Sequence, residues 1–386
     1  MGEEADAGAR HAPGTCRRLH QASTNGGMVT EDERYMSRAI ALAADVAFAS
    51  SNPRVGAVLV RAGQVIAEAA HRGAGTPHAE ALALAGADAT GATLYVTLEP
   101  CTHHGRTPPC APAIVEAGVA KVVVAIEDPD QRVAGRGIAY LREHGVEIEL
   151  GPGAPEAIAL NEAYLHHRRT GRPLVTLKLA LSLDGKMAAS DGSSRWITGD
   201  HTRREVHRLR ARSDGILVGA GTVLADDPLF TARDVAAERQ PVRVIVDSSG
   251  RVPSDAAVFG PGEVIVMTGV GSTDEARTAW KAAGAEVVVV DQRRAGEVDL
   301  QAVIENLGGR GWLELLCEGG AELATSLLRD DLVDRLVLHY GPVTVGDDGL
   351  GIGSLGVASM SDARRWRTLD VGRIGEDAIV TLGRDA

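Results

Sequence analysis

The sequence predicts two α/β domains in tandem, and three observations lead there. Its 386 residues exceed the usual size of one domain. Short apolar runs alternate with helical patterns through both halves, the signature of sheets covered by helices. Between the halves, "GPGAPEAIALNEAYLHHRRTGRP" is a helical pattern bounded by Gly/Pro punctuation, the best place for a boundary. The expected organisation is a disordered tail over 1–27, a first domain over 28–150, a linker helix over 151–172 and a second domain over 173–386.

Each element has a local reason. The first 27 residues are polar and rich in Gly and Ala, without the apolar stretch of a signal peptide, and Met28 is an alternative start. "TEDERYMSRAIALAADVAF" opens a helix with Thr30 and Glu33, a capping-box pair that satisfies free backbone donors. "RVGAVLVRAGQVIAEA" reads as two strands around a turn at Ala62-Gly63. "HAEALALAGA" follows as a helix, "ATLYVTLEP" as a strand, "CAPAIVEAGV" as a helix and "AKVVVAIEDP" as a strand. "GIAYLREHG" and "VEIEL" complete a three-layer sandwich with much parallel pairing. Beyond the linker, strands are expected at "LVTLKLALSLDG", "GILVGAGTVL", "VRVIVDSS", "EVIVMTG", "AEVVVVD", "WLELLCEGG" and "RLVLHYGPV", with helices between. No repeat of 20–50 residues marks a solenoid.

Composition narrows the function. The net charge of −12 argues against a protein that coats nucleic acid or anionic membrane. Aromatic residues make up only 3%, so the cores must be aliphatic. Four cysteines in so long a chain are no disulfide framework, and Cys16 and Cys317 have no evident partners. A reducing, cytoplasmic setting is expected, and no apolar run approaches the ~20 residues of a membrane span.

"TPHAEAL" carries His78 and Glu80, and "EPCTHHGRTPPC" follows with Cys101 and Cys110. Zinc deaminases of nucleobases use one His and two Cys as ligands, with a Glu that moves protons without binding metal, in the pattern H-x-E…P-C-x-x-C. Three ligands leave a fourth position for water, whose pKa the ion lowers toward ~7. Pro77 before His78 and Pro108-Pro109 before Cys110 place both ligands at helix starts. Here the two cysteines enclose eight residues rather than two. Two other readings therefore stand beside the deaminase: a pair of core cysteines, and a closed four-ligand site completed by His103 and His104. In the second half, no G-x-G-x-x-G opens a strand–helix unit; "VGAGTVL" has Leu224 where the third glycine belongs. "WLELLCEGGAELATSLL" offers another anion cradle, a strand, a Gly319-Gly320 break and a helix start.

"NPRVGAVLV", "HAEALAL", "VTLEPCTHHGRTPPC" and "DPDQRVAGRGIAYLREHGVEI" closely resemble the bifunctional deaminase/reductase family of bacterial riboflavin biosynthesis. "LKLALSLDGKMA", "SRWITG", "VGAGTVLADDP" and "EGGAELATSLL" resemble its reductase half, so the match runs from about Met28 to the end. In that family the eight-residue spacing is the normal form. The resemblance implies a cytidine-deaminase-like three-layer α/β/α domain followed by a dihydrofolate-reductase-like α/β domain. It implies His78, Cys101 and Cys110 as ligands of one zinc ion, Glu80 as proton shuttle, and NADPH as hydride donor. Asn52 and the basic loop residues Arg106, His103 and His104 are candidate substrate contacts; Asp128 and Arg136 read as turn and surface residues.

Carried across, Ala180, Trp196, Thr222, Asp226, Ser248 and the segment Gly320, Ala321, Glu322, Leu323, Ala324, Thr325 and Ser326 fall where the family meets NADPH. Ser194, Arg210, Phe230, Arg233 and Glu318 fall where it meets a phosphoribosyl substrate. Ser248, Ser249 and Arg251 can meet a 2′-phosphate. Lys178, projecting from an otherwise apolar strand, is expected to pair with Asp226 or the substrate and to assist proton delivery. The implied activity is deamination of 2,5-diamino-6-(5-phosphoribosylamino)pyrimidin-4-one, then reduction of its ribosyl chain. The partners expected are this small molecule, no nucleic acid, no membrane, and further copies of the chain joined through the reductase domain. Two competing functions remain: a nucleic-acid base deaminase with a binding module, and a non-catalytic zinc-stabilised domain.

Overall fold

The computed structural model describes residues 29–46, 51–294 and 296–384. The tail over 1–27, Met28 and Cys16 lie outside the described residues. Thr30 accepts from the backbone N–H of Glu33 while the Glu33 carboxylate accepts from that of Thr30, so the capping box starts α1 (Glu31–Asp45) as expected. Strands β1 (Gly56–Arg61) and β2 (Gln64–Ala70) form a hairpin whose turn residues, Ala62 and Gly63, both have positive φ. There follow α2 (Ala79–Leu84), β3 (Thr93–Val96), α3 (Cys110–Glu116), β4 (Lys121–Val124), α4 (Arg136–Glu143) and β5 (Glu147–Leu150).

The first sheet has the order β2-β1-β3-β4-β5. Only β3, β4 and β5 run parallel, because the tight hairpin fixes β1 and β2 antiparallel. Its core is aliphatic, built on Met36, Leu59, Leu94, Val96, Ile114, Val122 and Leu141. Helix α1 lies so close to β1 that a Cβ on Gly56 would sit 1.9 Å from the Ala39 carbonyl oxygen.

The expected single linker helix is two, α5 (Ala154–Leu160) and α6 (Glu162–Thr170). They break at Asn161, whose buried amide accepts from Arg54 N at 2.8 Å and donates to Arg54 O at 3.0 Å. A side chain that satisfies both backbone groups of an entering strand works better at a helix break than within a helix. Ala157, Tyr164 and Leu165 pack into the first core. On the other side, Glu162 pairs with Arg335 and His167 Nε2 donates to Gly308 O at 3.0 Å.

The second domain opens with β6 (Leu174–Leu181), α7 (Asp200–Arg212), β7 (Gly215–Gly219), α8 (Ala220–Asp226), β8 (Val242–Val246) and β9 (Val264–Thr268). Next are α9 (Asp274–Ala282), β10 (Glu286–Val289), a small hairpin of β11 (Gln292–Arg294) and β12 (Glu297–Val298), α10 (Leu300–Gly309), β13 (Glu314–Cys317) and α11 (Ala321–Arg329). The chain ends in β14 (Arg335–Tyr340), β15 (Arg367–Ile374) and β16 (Asp377–Gly383). Nine strands take the order β10-β9-β8-β7-β13-β6-β14-β16-β15, parallel from β10 to β14 and antiparallel thereafter. Alternate residues of the central strands feed opposite faces. Leu217, Val244 and Leu315 join one core, while Ile216, Val218, Ile245 and Leu316 join the other with the fully buried Trp280. Among the described residues no helix is long and apolar enough to cross a membrane.

Replacing Gly56 with Ala forces α1 off β1 or strains the strand. The substitution is expected to lower stability by about 1–3 kcal/mol, the range for an overpacked core. A denaturant midpoint unchanged in Gly56→Ala would contradict this close approach.

Candidate active sites

The first candidate centre assembles at two short helices and the turn between β3 and α3. His78 is the N-cap of α2, Glu80 lies in its first turn, and Cys110 is the first residue of α3. His78 Nδ1 lies 3.6 Å from Cys101 Sγ and 3.3 Å from Cys110 Sγ, and all three donor atoms fall within 4.8 Å of one another. Zinc bonds of ~2.3 Å to sulfur and ~2.05 Å to nitrogen, at a tetrahedral angle, put N and S about 3.5 Å apart, so the donor set fits that ion. Hydrogen bonds from Cys110 and His78 draw the Cys101 thiol below its ordinary range. Thr107 Oγ1 lies 3.1 Å from His78 Nε2, so the imidazole that offers Nδ1 to a metal has its other nitrogen held by the loop. Among the described residues neither His103 nor His104 joins this cluster, so the four-ligand alternative fails. Burial pushes the Glu80 carboxyl up to about 7, against the opposing pull of His78.

A cavity of about 320 Å³ opens over this centre and includes Asn52, His103, Arg106, Asp128, Asp130 and Arg168 in its wall. His104 and Arg136 do not line it. Sequence reasoning missed His71. Its Nδ1 faces Pro77 O at 3.1 Å, which makes Nδ1 the protonated nitrogen and leaves Nε2 to accept from Asn52 Nδ2 at 2.8 Å. Asn52 is thereby aimed, and His71 sits just ahead of the ligand helix. It also set Asp128 aside as a turn residue, yet this buried carboxylate accepts from Tyr164 Oη at 3.1 and 3.0 Å. Glu99 was missed as well. Its buried carboxylate accepts from the backbone N–H groups of Asp128, Gly135, Gly137 and Ile138, binding the start of α4 to the Glu99-Pro100-Cys101 turn.

The second centre lies at the C-terminal ends of the parallel strands, where an open α/β sheet presents its crevice. A cavity of about 440 Å³ brings together Ala180, Ser194, Trp196, Arg210, Asp226, Phe230 and Arg233. Trp196 is 67% exposed, so it is no core anchor, and the Arg203 guanidinium stands 4.1 Å from its ring centroid. Thr222, Ser248, Glu318, Lys178 and the segment from Gly320 to Ser326 do not line this cavity. Thr222 belongs with the anion cradle instead: its hydroxyl accepts from Gly320 N at 2.8 Å at the start of α11. The Ser248 hydroxyl accepts from Val298 N at 3.1 Å.

Two expectations shift here. Arg210, expected to grip phosphate, turns its Nε and one terminal nitrogen to Glu318 at 2.5 and 2.9 Å, a bidentate pair buried on both sides. Burial alone would raise the Glu318 carboxyl, but Arg210 and Lys178 hold it below its ordinary range. Burial pushes Lys178 down; its charged neighbours are Glu318 and Arg210 rather than the expected Asp226, which lies on the exposed end of α8. Arg233, Arg195 and Arg203 are the other guanidinium groups at this cavity.

Fold and sites together define a two-domain protein that joins a zinc-type nucleobase deaminase to a reductase. The model for the cytidine and deoxycytidylate deaminase zinc-binding region matches residues 29–126, and the model for the RibD C-terminal domain matches residues 173–380. The chain belongs to the RibD family of riboflavin biosynthesis proteins. It is 40% identical to the RibD of Escherichia coli over 91% of this chain and 99% of that one. To the RibD of Aquifex aeolicus it is 40% identical over 92% and 98%. Among solved structures, Acinetobacter baumannii RibD superposes with a TM-score of 0.82 at 36% identity, covering 92% of this chain and 99% of that one. A deaminase/reductase from Thermotoga maritima gives 0.80 at 35%, with the same coverage. The chain is thus a bifunctional deaminase and reductase of riboflavin biosynthesis, with a zinc-binding deaminase domain and a reductase domain that uses NADPH.

Glu99→Gln keeps the side chain's shape but leaves a single oxygen for N–H groups that now share two. Loss of a group that orients a metal-binding turn is expected to weaken zinc affinity by about 10–100-fold, read by competition with a chromogenic chelator. Wild-type affinity in the variant would refute the link between this carboxylate and the Cys101 turn.

Proposed function

We propose that the first cavity hydrolytically deaminates 2,5-diamino-6-(5-phosphoribosylamino)pyrimidin-4-one, and that the second reduces the ribosyl chain of the product with NADPH to give 5-amino-6-(5-phosphoribitylamino)uracil. The observation that carries the first half is the cluster of His78, Cys101 and Cys110, with His78, Cys101 and the buried Glu80 lining one cavity. The named Thermotoga relative, a diaminohydroxyphosphoribosylaminopyrimidine deaminase/5-amino-6-(5-phosphoribosylamino)uracil reductase, supports the choice of substrate.

In this reading His78, Cys101 and Cys110 hold zinc, which supplies Lewis acidity that lowers the pKa of water toward about 7. Glu80 accepts a proton from the attacking water on a carboxylate oxygen and passes it to the ring nitrogen; it then carries a second proton, from the hydroxyl newly bonded to carbon, to the amine as the C–N bond breaks. Asn52, fixed by His71, offers its amide oxygen to the pyrimidine. Arg106 and His103, across the cavity, meet the anionic end. In the second half, Ala180, Trp196, Thr222, Asp226, Ser248 and the backbone from Gly320 to Ser326 take NADPH. Ser194, Arg233 and Phe230 meet the phosphoribosyl chain, and the Glu318–Arg210 pair orients Lys178 toward it. Bound NADPH would supply hydride to the ribose C1′; the ring oxygen released from that carbon needs a proton, for which Lys178 is the candidate donor.

Domain limits of 28–150 and 173–386 fit this division, with 151–172 between them. The net charge of −12 speaks against a nucleic-acid substrate. Copies of the chain are inferred to associate through the reductase domain, where Val371 on edge strand β15 is 65% exposed. Light scattering in solution should give a multiple of the 40.3 kDa chain mass; a monomer at micromolar concentration would contradict the association.

The two halves are separable by experiment. Glu80→Gln is expected to slow ammonia release by about 10²–10⁴-fold, while reduction of pre-deaminated pyrimidine by NADPH continues at the wild-type rate. Stripping zinc with a chelator should give the same pattern. Ammonia release unaffected by Glu80→Gln would overturn the role given to this carboxylate.

A further inference from the structure

Helix α6 belongs to neither matched region, which span 29–126 and 173–380, yet it supplies part of the deaminase wall. Tyr164 and Arg168, one turn apart on it, both line the cavity that holds Glu80. The Tyr164 hydroxyl donates to Asp128, and the Arg168 guanidinium stacks 4.9 Å from the Tyr164 ring centroid. Arg168 Nε lies 3.4 Å from Asp130 Oδ2, and a terminal nitrogen donates to Ser51 O at 3.4 Å. Asp130 is also chelated by Arg132 through Nε and a terminal nitrogen, and its N–H donates to Asp128 Oδ1. Two cavity segments thus meet at one side chain: the Asp128–Asp130 turn and the loop whose next residue is Asn52.

Ser51 itself holds a positive φ of 63°, a conformation that a non-glycine residue keeps only when its surroundings impose it. Other residues of α6 tie it to the reductase domain. Glu162 pairs with Arg335, His167 bonds Gly308 O, and His166 faces Asp334 at 3.6 Å.

We propose that Arg168 is a positioning residue of the deaminase: it sets the Ser51–Asn52 loop against the Asp128–Asp130 turn, so that the first cavity is complete only while α6 is docked on the reductase domain. The inference rests on the deaminase reading given above. It adds that the residue fixing the pyrimidine pocket comes from the segment between the domains.

The test measures both activities in the full-length, zinc-loaded protein. Arg168→Ala is expected to raise KM for the diaminopyrimidine substrate about tenfold with kcat within about twofold, since a charged hydrogen-bonding group is lost while Glu80 and the ligands stay in place. Arg168→Lys keeps the charge and should recover part of the loss. Reduction of the pre-deaminated pyrimidine by NADPH should be unchanged in both variants, which shows that they fold. Arg335→Ala, made on the reductase side of α6, should raise the same deaminase KM. An unchanged KM in Arg168→Ala overturns the proposal while the deaminase reading stands. A KM rise that vanishes for the dephosphorylated substrate makes Arg168 a phosphate ligand, and overturns the positioning role. Wild-type protein that releases no ammonia from this pyrimidine would instead refute the deaminase reading itself.

Discussion

The first domain hangs on one buried carboxylate. Glu99 sits between strand β3 and the cysteine loop and takes N–H groups from four residues that open or precede α4. An unpaired carboxylate at such depth would cost several kcal/mol, so its hydrogen bonds are a condition of the fold. The contact is close: a Cβ on Gly137 would lie 1.9 Å from the Pro100 carbonyl oxygen. Backbone meeting backbone at that range leaves the turn ending at Cys101 little freedom. The ligand geometry is therefore set by α4, an element that carries no ligand, and the cavity wall at Asp128 is fixed by the same carboxylate.

Much of this was legible in the sequence wherever the determinant is local. Thr30 and Glu33 three residues apart mark a helix start; Ala62-Gly63 marks a tight turn; apolar runs mark the central strands of both sheets. The order His78, Glu80, Cys101, Cys110 pointed to the candidate metal cluster because the chemistry admits few residue types. Legibility failed where partners are distant in sequence. Asn161 splits the linker helix for the sake of Arg54, 107 residues away. His71 aims Asn52 from the far end of a hairpin. The strands β15 and β16 went unseen although Leu369, Val371 and Ile374 lie in the one and Ile379, Val380 and Leu382 in the other; in β15 those residues are interspersed with Arg, Asp and Gly.

The second domain shows the limit in another way. Residue types there were sound indicators of place: Ala180, Ser194, Trp196, Asp226, Phe230 and Arg233 do converge. Their engagements were not. A buried arginine looks like a phosphate ligand in sequence, but Arg210 lies against Glu318, and two buried opposite charges satisfy each other before any ligand arrives. That pair then sets the field at Lys178. The cavity's remaining positive charge lies on Arg195, Arg203 and Arg233, of which Arg195 and Arg233 are exposed.

Trp196 stands out among four tryptophans. Trp280 is sealed in one core of the reductase domain, and Trp312 and Trp366 are partly buried against the other, whereas Trp196 lies open on the reductase cavity. An indole in that position is an optical reporter built into the chain. Its emission overlaps the absorption band of a reduced nicotinamide, so energy transfer would light up only when the second cavity fills. The deaminase half has no tryptophan at all, and events there stay dark. One chain thus carries a native fluorescence channel for one of its two reactions, without any label.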